Sequence, residues 1–381
     1  MGEKLLVPKI RFKEFTNAWE QEKLGNLLIY EQPTNYIVKS EKYTKSGIPV
    51  LTAGKSFILG YTRENFGIKY VNNEKPVLIF DDFTTAIHLI NFNFKVKSSA
   101  IKLLSNRKNN DNLFFNFLLI KSLNFEPEAH ERHWISKFSL FEMKLPKLTE
   151  KIRISSLFSN LDSLITLHQR KLILLKNTKN RLFEKMFCDE KSEFPSIRFK
   201  EFTNAWEQEK LGNLTILNRF SQISADTLQK INEHKGNIFL LPSSNNNNWK
   251  SNYSEKISHL INNAEIITVG RARNPNPKYV NGPFISSQNH IIESKSNDIV
   301  ANKFLYFFIC KVGRTFYGSQ STYPMFTRVD FEDTRLLFPL IIEQEKILKI
   351  FNNLDSLITL HQRKLLLLKN IKNTLLEKMF V

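Results

Sequence analysis

The sequence is short of cysteine, of acidic residues, of long apolar runs and, over two stretches, of any helix breaker. Cys188 and Cys310 are its only thiols. Two isolated thiols build neither a disulfide framework nor a four-cysteine metal site, so a reducing cytoplasm is the expected setting. The longest apolar runs, such as FLYFFIC at 304–310, are far too short to span a bilayer. The opening MGEKLLVPKIRFKEF has no apolar core of signal-peptide length. Acid is scarce: 37 Asp and Glu stand against 55 Lys and Arg, for a net charge of +18. Such a balance points to a polyanionic partner, nucleic acid or an acidic membrane surface, with nucleic acid favoured. A bias towards Lys, Asn, Ile and Phe, visible in 32 Phe and the Asn-rich stretches, accounts for extra lysine but not for the acid shortfall.

Catalytic signatures are also missing. Ala53-Gly54-Lys55-Ser56 resembles the end of a phosphate-binding loop, yet Pro49 stands where the motif needs its first glycine, so no cradle of backbone N–H groups is encoded. Asn274-Pro275-Asn276-Pro277 departs from the Asn-Pro-Pro-aromatic motif of adenine methyltransferases at its third and fourth positions. Asp81-Asp82 follows an apolar strand, but the acidic-x-Lys partner of a metal nuclease is absent, since the next strand offers Asn93-Phe94-Lys95. The eight histidines are scattered. The chain is expected to be non-catalytic by itself and to hold no metal.

What is present is repetition. NLDSLITLHQRKL at 160–172 returns letter for letter at 353–365, an offset of 193, and IRFKEFTNAWEQEKLGNL at 10–27 returns at 197–214, an offset of 187. The chain is therefore two tandem halves. Leu161, Ile165, His168, Leu172, Leu175, Lys179, Leu182 and Met186 step alternately by four and three, the seam of a coiled coil, and Leu354, Ile358, His361, Leu365, Leu368 and Leu375 repeat it. No Gly or Pro interrupts 150–187 or 340–380, so each copy is expected to form one helix roughly 55 Å long. The two polar seam positions, His and Lys, are of the kind that fix register and partner. Identity on the outward face as well, at Asp162, Ser163, Gln169 and Arg170, implies that this face is also used.

Between the repeated parts lie two dissimilar inserts, about 28–145 and 215–338. Apolar strand-like runs dominate them: Pro76–Phe80, Phe94–Lys97, Glu265–Val269 and His290–Glu293. Turns are expected at Asn72-Asn73, Asn274–Pro277 and Asn281-Gly282-Pro283. One apolar helix per insert is expected, Leu113–Leu123 and Asn302–Lys311. The opening segments read as helix-free anchors leading into a strand, with Phe12, Phe15 and Trp19, and Phe199, Phe202 and Trp206, buried. Pro146 and Pro339 are placed in the first turn of the long helices. The fold class is α+β: two tandem recognition domains, 1–146 and 189–339, joined by two long helices, 147–188 and 340–381, with an internal pseudo-two-fold repeat.

Taken together, PKIRFKEFTNAWEQEKLG, LDSLITLHQRKLILLK ending in LFEKMF, and the duplication of both resemble the specificity subunit of type I restriction–modification enzymes. VLIFDDFTTA…FKVKSSAIKLL and GRARNPNPKYVNGPFISSQNHII resemble target-recognition domains of that family. The resemblance covers essentially the whole chain. It implies two target-recognition domains, each reading one half of a bipartite double-stranded DNA site. It implies an antiparallel pairing of the helices that sets the spacer, and docking of two methylation subunits and, through them, two restriction subunits. S-adenosylmethionine, ATP and Mg²⁺ would belong to those partners and not to this chain. One departure is a first exit, Leu145–Lys151, without the Glu343-Gln344 pair of the second. A specificity chain of a free-standing adenine methyltransferase and a coiled-coil adaptor without a DNA role are the alternatives.

Base reading needs donors and acceptors on loops that enter a groove. In the first insert the candidates are Asp81, Asp82, Thr84, Thr85 and His88; Lys97, Ser98 and Ser99; and His130, Arg132, His133 and Trp134. For the two aspartates turn capping is an equal reading. In the second insert they are Arg271, Arg273 and Asn274; Ser287, Gln288, Asn289 and His290; and Ser319, Gln320, Ser321, Thr322 and Tyr323. Asn245–Asn248 with Trp249 and Lys250 read as a loop that orders on DNA or, the slightly favoured alternative, as a purely solvated one. Lys39, Lys42, Lys45, Lys55, Arg63 and Lys69 are placed on phosphates.

Overall fold

The structure, a computed structural model, describes residues 7–52, 57–123, 125, 133–188, 192–272, 274–317 and 324–380. The chain forms two compact units, one of residues 1–171 with 361–381 and one of residues 172–360. The boundary crosses both long helices, so each unit takes its helical part from both repeats.

In the first unit, strands β1 (Glu20–Lys23), β2 (Leu28–Glu31), β3 (Ile48–Leu51), β4 (Ile58–Thr62), β5 (Val77–Asp81), β6 (Ile87–Ile90), β7 (Lys95–Val96), β8 (Ile101–Asn106) and β9 (Glu142–Leu145) make three small sheets. The orders are β2-β8-β5-β6, β4-β3-β7 and β1-β9. The unbroken apolar run of β5 fits its place inside the four-stranded sheet, where it is buried at every position. The helix Leu113–Ser122 is apolar on nearly all sides because it too is enclosed. Asn112 caps it, its side chain accepting from the Phe115 N–H at 2.8 Å.

The second unit holds β10 (Glu207–Lys210), β11 (Thr215–Leu217), β12 (Ile238–Leu241), β13 (Lys250–Ser251), β14 (Asn262–Gly270), β15 (Lys278–Ser286), β16 (Asn289–Ser294) and β17 (Arg335–Phe338). A six-stranded mixed sheet runs β11-β16-β14-β15-β12-β13, and β10 pairs with β17. The helix Asn302–Val312 covers β14, β15 and β16.

The two repeats do the same work in each unit. Arg11 makes a two-pronged ion pair with Glu150 at 2.7 Å, and Arg198 makes the equivalent pair with Glu343 at 2.8 Å. The Ile10 N–H donates to the Lys378 carbonyl at 2.9 Å and the Ile197 N–H to the Lys185 carbonyl at 2.8 Å. Each opening segment thus satisfies a carbonyl left bare at the end of a long helix. Met379 and Phe380 enter the core around Trp19 and Phe115, while Met186 and Phe187 enter the core around Trp206 and Phe304. The repeated EKMF is therefore a plug: each unit is closed by the helix end that arrives from the other half of the sequence.

The long helices span Leu148–Met186 and Ile341–Lys378 and run antiparallel within each unit. In the first unit Asp162 pairs with Lys372 and His168 with His361, their Nδ1 atoms 2.8 Å apart. In the second unit Lys179 pairs with Asp355. Every polar seam residue thus has a partner across the seam. Leu161 and Leu175 are buried and Ile165, Leu172, Leu182, Leu354, Ile358, Leu365, Leu368 and Leu375 half-buried, whereas Leu167, Ile173, Leu174, Leu366 and Leu367 lie exposed on the other face.

Six expectations need correction. Asp162 does not face outward with Ser163, Gln169 and Arg170, because its carboxylate reaches Lys372 across the seam. Asn281-Gly282-Pro283 is not a turn but lies within β15, opposite Asn263–Glu265. Gly282 takes φ +133°, a conformation open to glycine, and Pro283 lies opposite Asn263, one residue before Phe284, where β12 joins. Pro146 and Pro339 stand two positions before the first helical residues, Leu148 and Ile341; Lys147 and Leu340 supply the first carbonyls, and the Pro339 carbonyl accepts from Gln344 Nε2. The opening segments each contain one helical turn, Leu24–Leu27 and Leu211–Leu214. Of their aromatics Trp19 and Trp206 are buried, but Phe12, Phe15, Phe199 and Phe202 are half-exposed at the rim, where Arg153 and Lys346 lie over Phe12 and Phe202. The first exit does keep half of its pair: Glu150 does what Glu343 does, and Lys151 replaces Gln344 by bonding Asp111.

Candidate nucleic-acid interface

In the second unit four segments converge on one open cleft of about 430 Å³, lined by Ser243, Ser244, Arg271, Ala272, Asn274, Asn276, Gln288 and Met325. The β14–β15 connection brings Arg271 and Asn274, both exposed, and the β15–β16 turn brings Gln288. Gln288 sits at φ +54°, a left-handed position that projects the tip of a two-residue turn. Arg271, Asn274 and Gln288, drawn from separate stretches of sequence, are thereby collected in one place. A guanidinium and two carboxamides are the groups that take guanine O6/N7 and adenine N6/N7 in a major groove.

Their neighbours are turned inward. Ser287 and Asn289 are buried, and Asn289 Nδ2 donates to the Leu241 carbonyl at 2.7 Å and the Ser287 carbonyl at 3.0 Å. Gln222 accepts from the Asn289 N–H and donates to its carbonyl. His290 stacks on Phe326, ring centroids 4.0 Å apart, and burial, with Arg271 adding to it, pushes the imidazole down to about 4. It is therefore neutral near pH 7, held by contact with the Asn218 amide at 3.2 Å. Trp249 packs half-buried against the Leu228, Ile238 and Ile285 cluster, and Lys250 lies over the Phe239 ring; Asn245–Asn248 are exposed. Sequence reasoning missed Ser243, Ser244, Asn276 and Met325 on the cleft, and Lys278 beneath it. Lys278 carried a signal: it shares the inward phase of β15 with Val280 and Phe284, where a lysine is out of place.

In the first unit the corresponding loops divide in the same way. Asp81 is buried and caps the turn after β5, accepting from the Phe83 N–H at 2.8 Å and the Thr84 N–H at 3.1 Å. Asp82, also buried, accepts from the Trp134 N–H at 2.9 Å and lies 3.5 Å from Lys102 Nζ. His133 and Trp134 are core, Trp134 packing edge-on against Phe80. Asp81 thus makes the bonds of the capping reading, whereas Asp82 ties its loop to the Trp134 backbone instead. Thr85 takes φ +59° at the tip, and Thr84, Ser98 and Ser99 face solvent. His88 stacks on Phe57 at 4.3 Å, and burial, then Lys121, lowers its pKa.

Of the cationic candidates, Lys39, Lys42, Lys45 and Arg63 are exposed. Lys69 is engaged by Glu31 and Tyr36, and Lys97 by Glu41 at 2.9 Å. Lys55, His130, Arg132, Arg273, Ser319, Gln320, Ser321, Thr322 and Tyr323 lie outside the described residues. Among the described residues no group of three His, Cys, Asp or Glu is placed to hold a metal ion, and no helix is long and apolar enough to cross a membrane.

The model of the type I restriction modification DNA specificity domain matches the chain twice, over residues 17–177 and 204–370. The specificity subunit of the type I restriction enzyme EcoR124I/EcoR124II of Escherichia coli is 46% identical over 127 residues, 32% of this chain; the match spans 31% of that relative. The type I restriction–modification S subunit of M. genitalium has the same fold, with a TM-score of 0.67 at 16% identity over 98% of this chain and 99% of that one. A chain from work on complex assembly and conformational transition of the type I R-M system reaches a TM-score of 0.50 at 12% identity, over 95% of this chain and 97% of that one. With two copies of the specificity domain covering most of its length, the chain belongs to the type I restriction modification DNA specificity family.

Proposed function

We propose that this chain is the DNA sequence-specificity subunit of a type I restriction–modification complex. The observation that carries the reading is the second-unit cleft, where Arg271, Asn274 and Gln288 converge in a family whose domain is defined by DNA specificity. On this reading 1–146 and 189–339 are two target-recognition domains for the halves of a bipartite double-stranded site. The helices 147–188 and 340–381 set the spacer. Exposed Lys39, Lys42, Lys45 and Arg63, within a net charge of +18, would meet phosphates.

The exposed leucines on the outer helix faces are apolar surface of the kind that partner subunits cover, and we assign them to two methylation subunits, which in turn carry two restriction subunits. S-adenosylmethionine, ATP and Mg²⁺ act on those partners, and the chain by itself neither methylates nor cleaves. The test is to express it with a methylation subunit and map methylated adenines across the genome. A two-part motif with a fixed spacer, lost when this chain is omitted, supports the reading. Methylation that is unchanged without the chain overturns it.

A further inference from the structure

Beneath the cleft, four successive backbone carbonyls are each taken by a side chain from another strand or loop. Asn289 Nδ2 holds the Leu241 carbonyl at 2.7 Å, Lys278 Nζ holds those of Pro242 at 2.6 Å and Ser244 at 2.7 Å, and Asn276 Nδ2 holds that of Ser243 at 2.9 Å. The central member of this clasp is a lysine that is almost wholly buried. Among the described residues no carboxylate pairs with it. Burying an ammonium costs free energy that carbonyl dipoles repay only when their geometry is fixed. A methionine would fill the same space without that cost, so packing alone does not explain the lysine.

Burial lowers the Lys278 pKa to about 8, so most of it remains charged near pH 7. With carbonyls 242–244 held by these side chains, Ser243 and Ser244 line the same cleft as Arg271 and Gln288. The backbone is tight there as well: a Cβ on Gly270 would come within 3.0 Å of the Asn274 carbonyl oxygen and 3.2 Å of that of Ser243.

We infer that Lys278, with Asn276, is a positioning residue that presets the 242–244 backbone and so determines how sharply the second unit discriminates its half-site. The inference rests on the reading of the cleft as a DNA-reading surface. Lys278 has no path to a phosphate, because its ammonium is enclosed by the loop it holds. Its loss should therefore leave non-specific binding and its salt dependence unchanged while specificity falls.

The test uses the assembled complex with its methylation subunit, after the wild-type motif has been mapped. Affinity is measured for the cognate site, for a site altered only in the half read by the second unit, and for a site altered only in the other half. Lys278→Met should lower the cognate-to-altered ratio for the second half-site by about 10- to 100-fold, the scale of one mismatched base pair. The ratio for the first half-site and the salt slope should stay as in wild type.

Faster amide hydrogen exchange confined to the 240–248 stretch should accompany that loss. Asn276→Ala removes the Ser243 clasp together with a side chain that lines the cleft, so it should show the same pattern at smaller size, with the faster 240–248 exchange as the sign of lost positioning. It serves as the deciding variant if Lys278→Met does not fold. An unchanged second-half ratio in a folded variant, or equal losses in both halves, overturns the inference. A wild-type complex with no two-part motif overturns the functional reading beneath it instead.

Discussion

At single residues, buried charge and half-buried imidazole set the stability. Glu343 is 1% exposed and is answered by Arg198. Arg198→Met strands a buried carboxylate, so it should cost about 3–5 kcal/mol, and adding Glu343→Gln should recover most of the loss. Thermal melts of the two variants check this; equal melting temperatures for single and double variants would contradict it. His290 gives a pH dependence with a definite sign. Its folded pKa, about 4, lies below the unfolded value of about 6.5. Protons therefore bind the unfolded chain more readily, and the contribution of a neutral His290 is complete above pH 6.5 and drains away as pH falls towards 4. Denaturant midpoints between those limits should fall for wild type and fall less for His290→Phe, which keeps the stack on Phe326. Identical slopes would exclude His290 as the source.

At the scale of the element, the helices are specified by period and by their polar exceptions. The four-three step puts Leu161, Leu172, Leu175 and Leu182 on one face, and the lysines on that face find carboxylates across it. Lys179→Asp sets a second carboxylate against Asp355, whereas Lys179→Asp with Asp355→Lys restores opposite charges. The pair is partly exposed and worth about 1 kcal/mol or less, so a double-mutant cycle is the proper measure. A favourable coupling that weakens in high salt is expected; zero coupling would leave the seam to its leucines. Within the inserts, strands were legible wherever apolar runs were continuous, as in β5 and β14. Asn281-Gly282-Pro283 misled because local turn chemistry was overridden by pairing with β14, a non-local decision.

For the whole molecule, the duplication is the organising fact. Two offsets, 187 for the opening segments and 193 for the helices, bring Arg11 to Glu150 and Arg198 to Glu343, and place one EKMF plug in each unit. If the paired helices set the spacer, one heptad added to each at the level of His168 and His361 lengthens the paired stretch by roughly 10 Å. At ~3.4 Å per base pair that is about three base pairs. Genome-wide methylation maps should show that longer spacer with both half-sites unaltered, and an unchanged spacer in a folded variant removes the helices as the ruler.

The sequence alone determined whatever depends on neighbours along the chain: the tandem repeat, the seam, the central strands, the basic charge and the loops where polar side chains gather. Those follow from periodicity and composition, which are local or additive. Tertiary structure decided which loop residues face outward. Asp82, His133, Trp134, Ser287 and Asn289 look like surface readers in sequence, yet all five are buried: Asp82 and Asn289 satisfy backbone groups that the folded loops enclose, and Trp134 packs on Phe80. Lys278 is the same rule in reverse, a residue that reads as solvent-facing and is spent on three-dimensional order: its donors reach carbonyls more than thirty positions away, and only the folded sheet brings them within 3 Å.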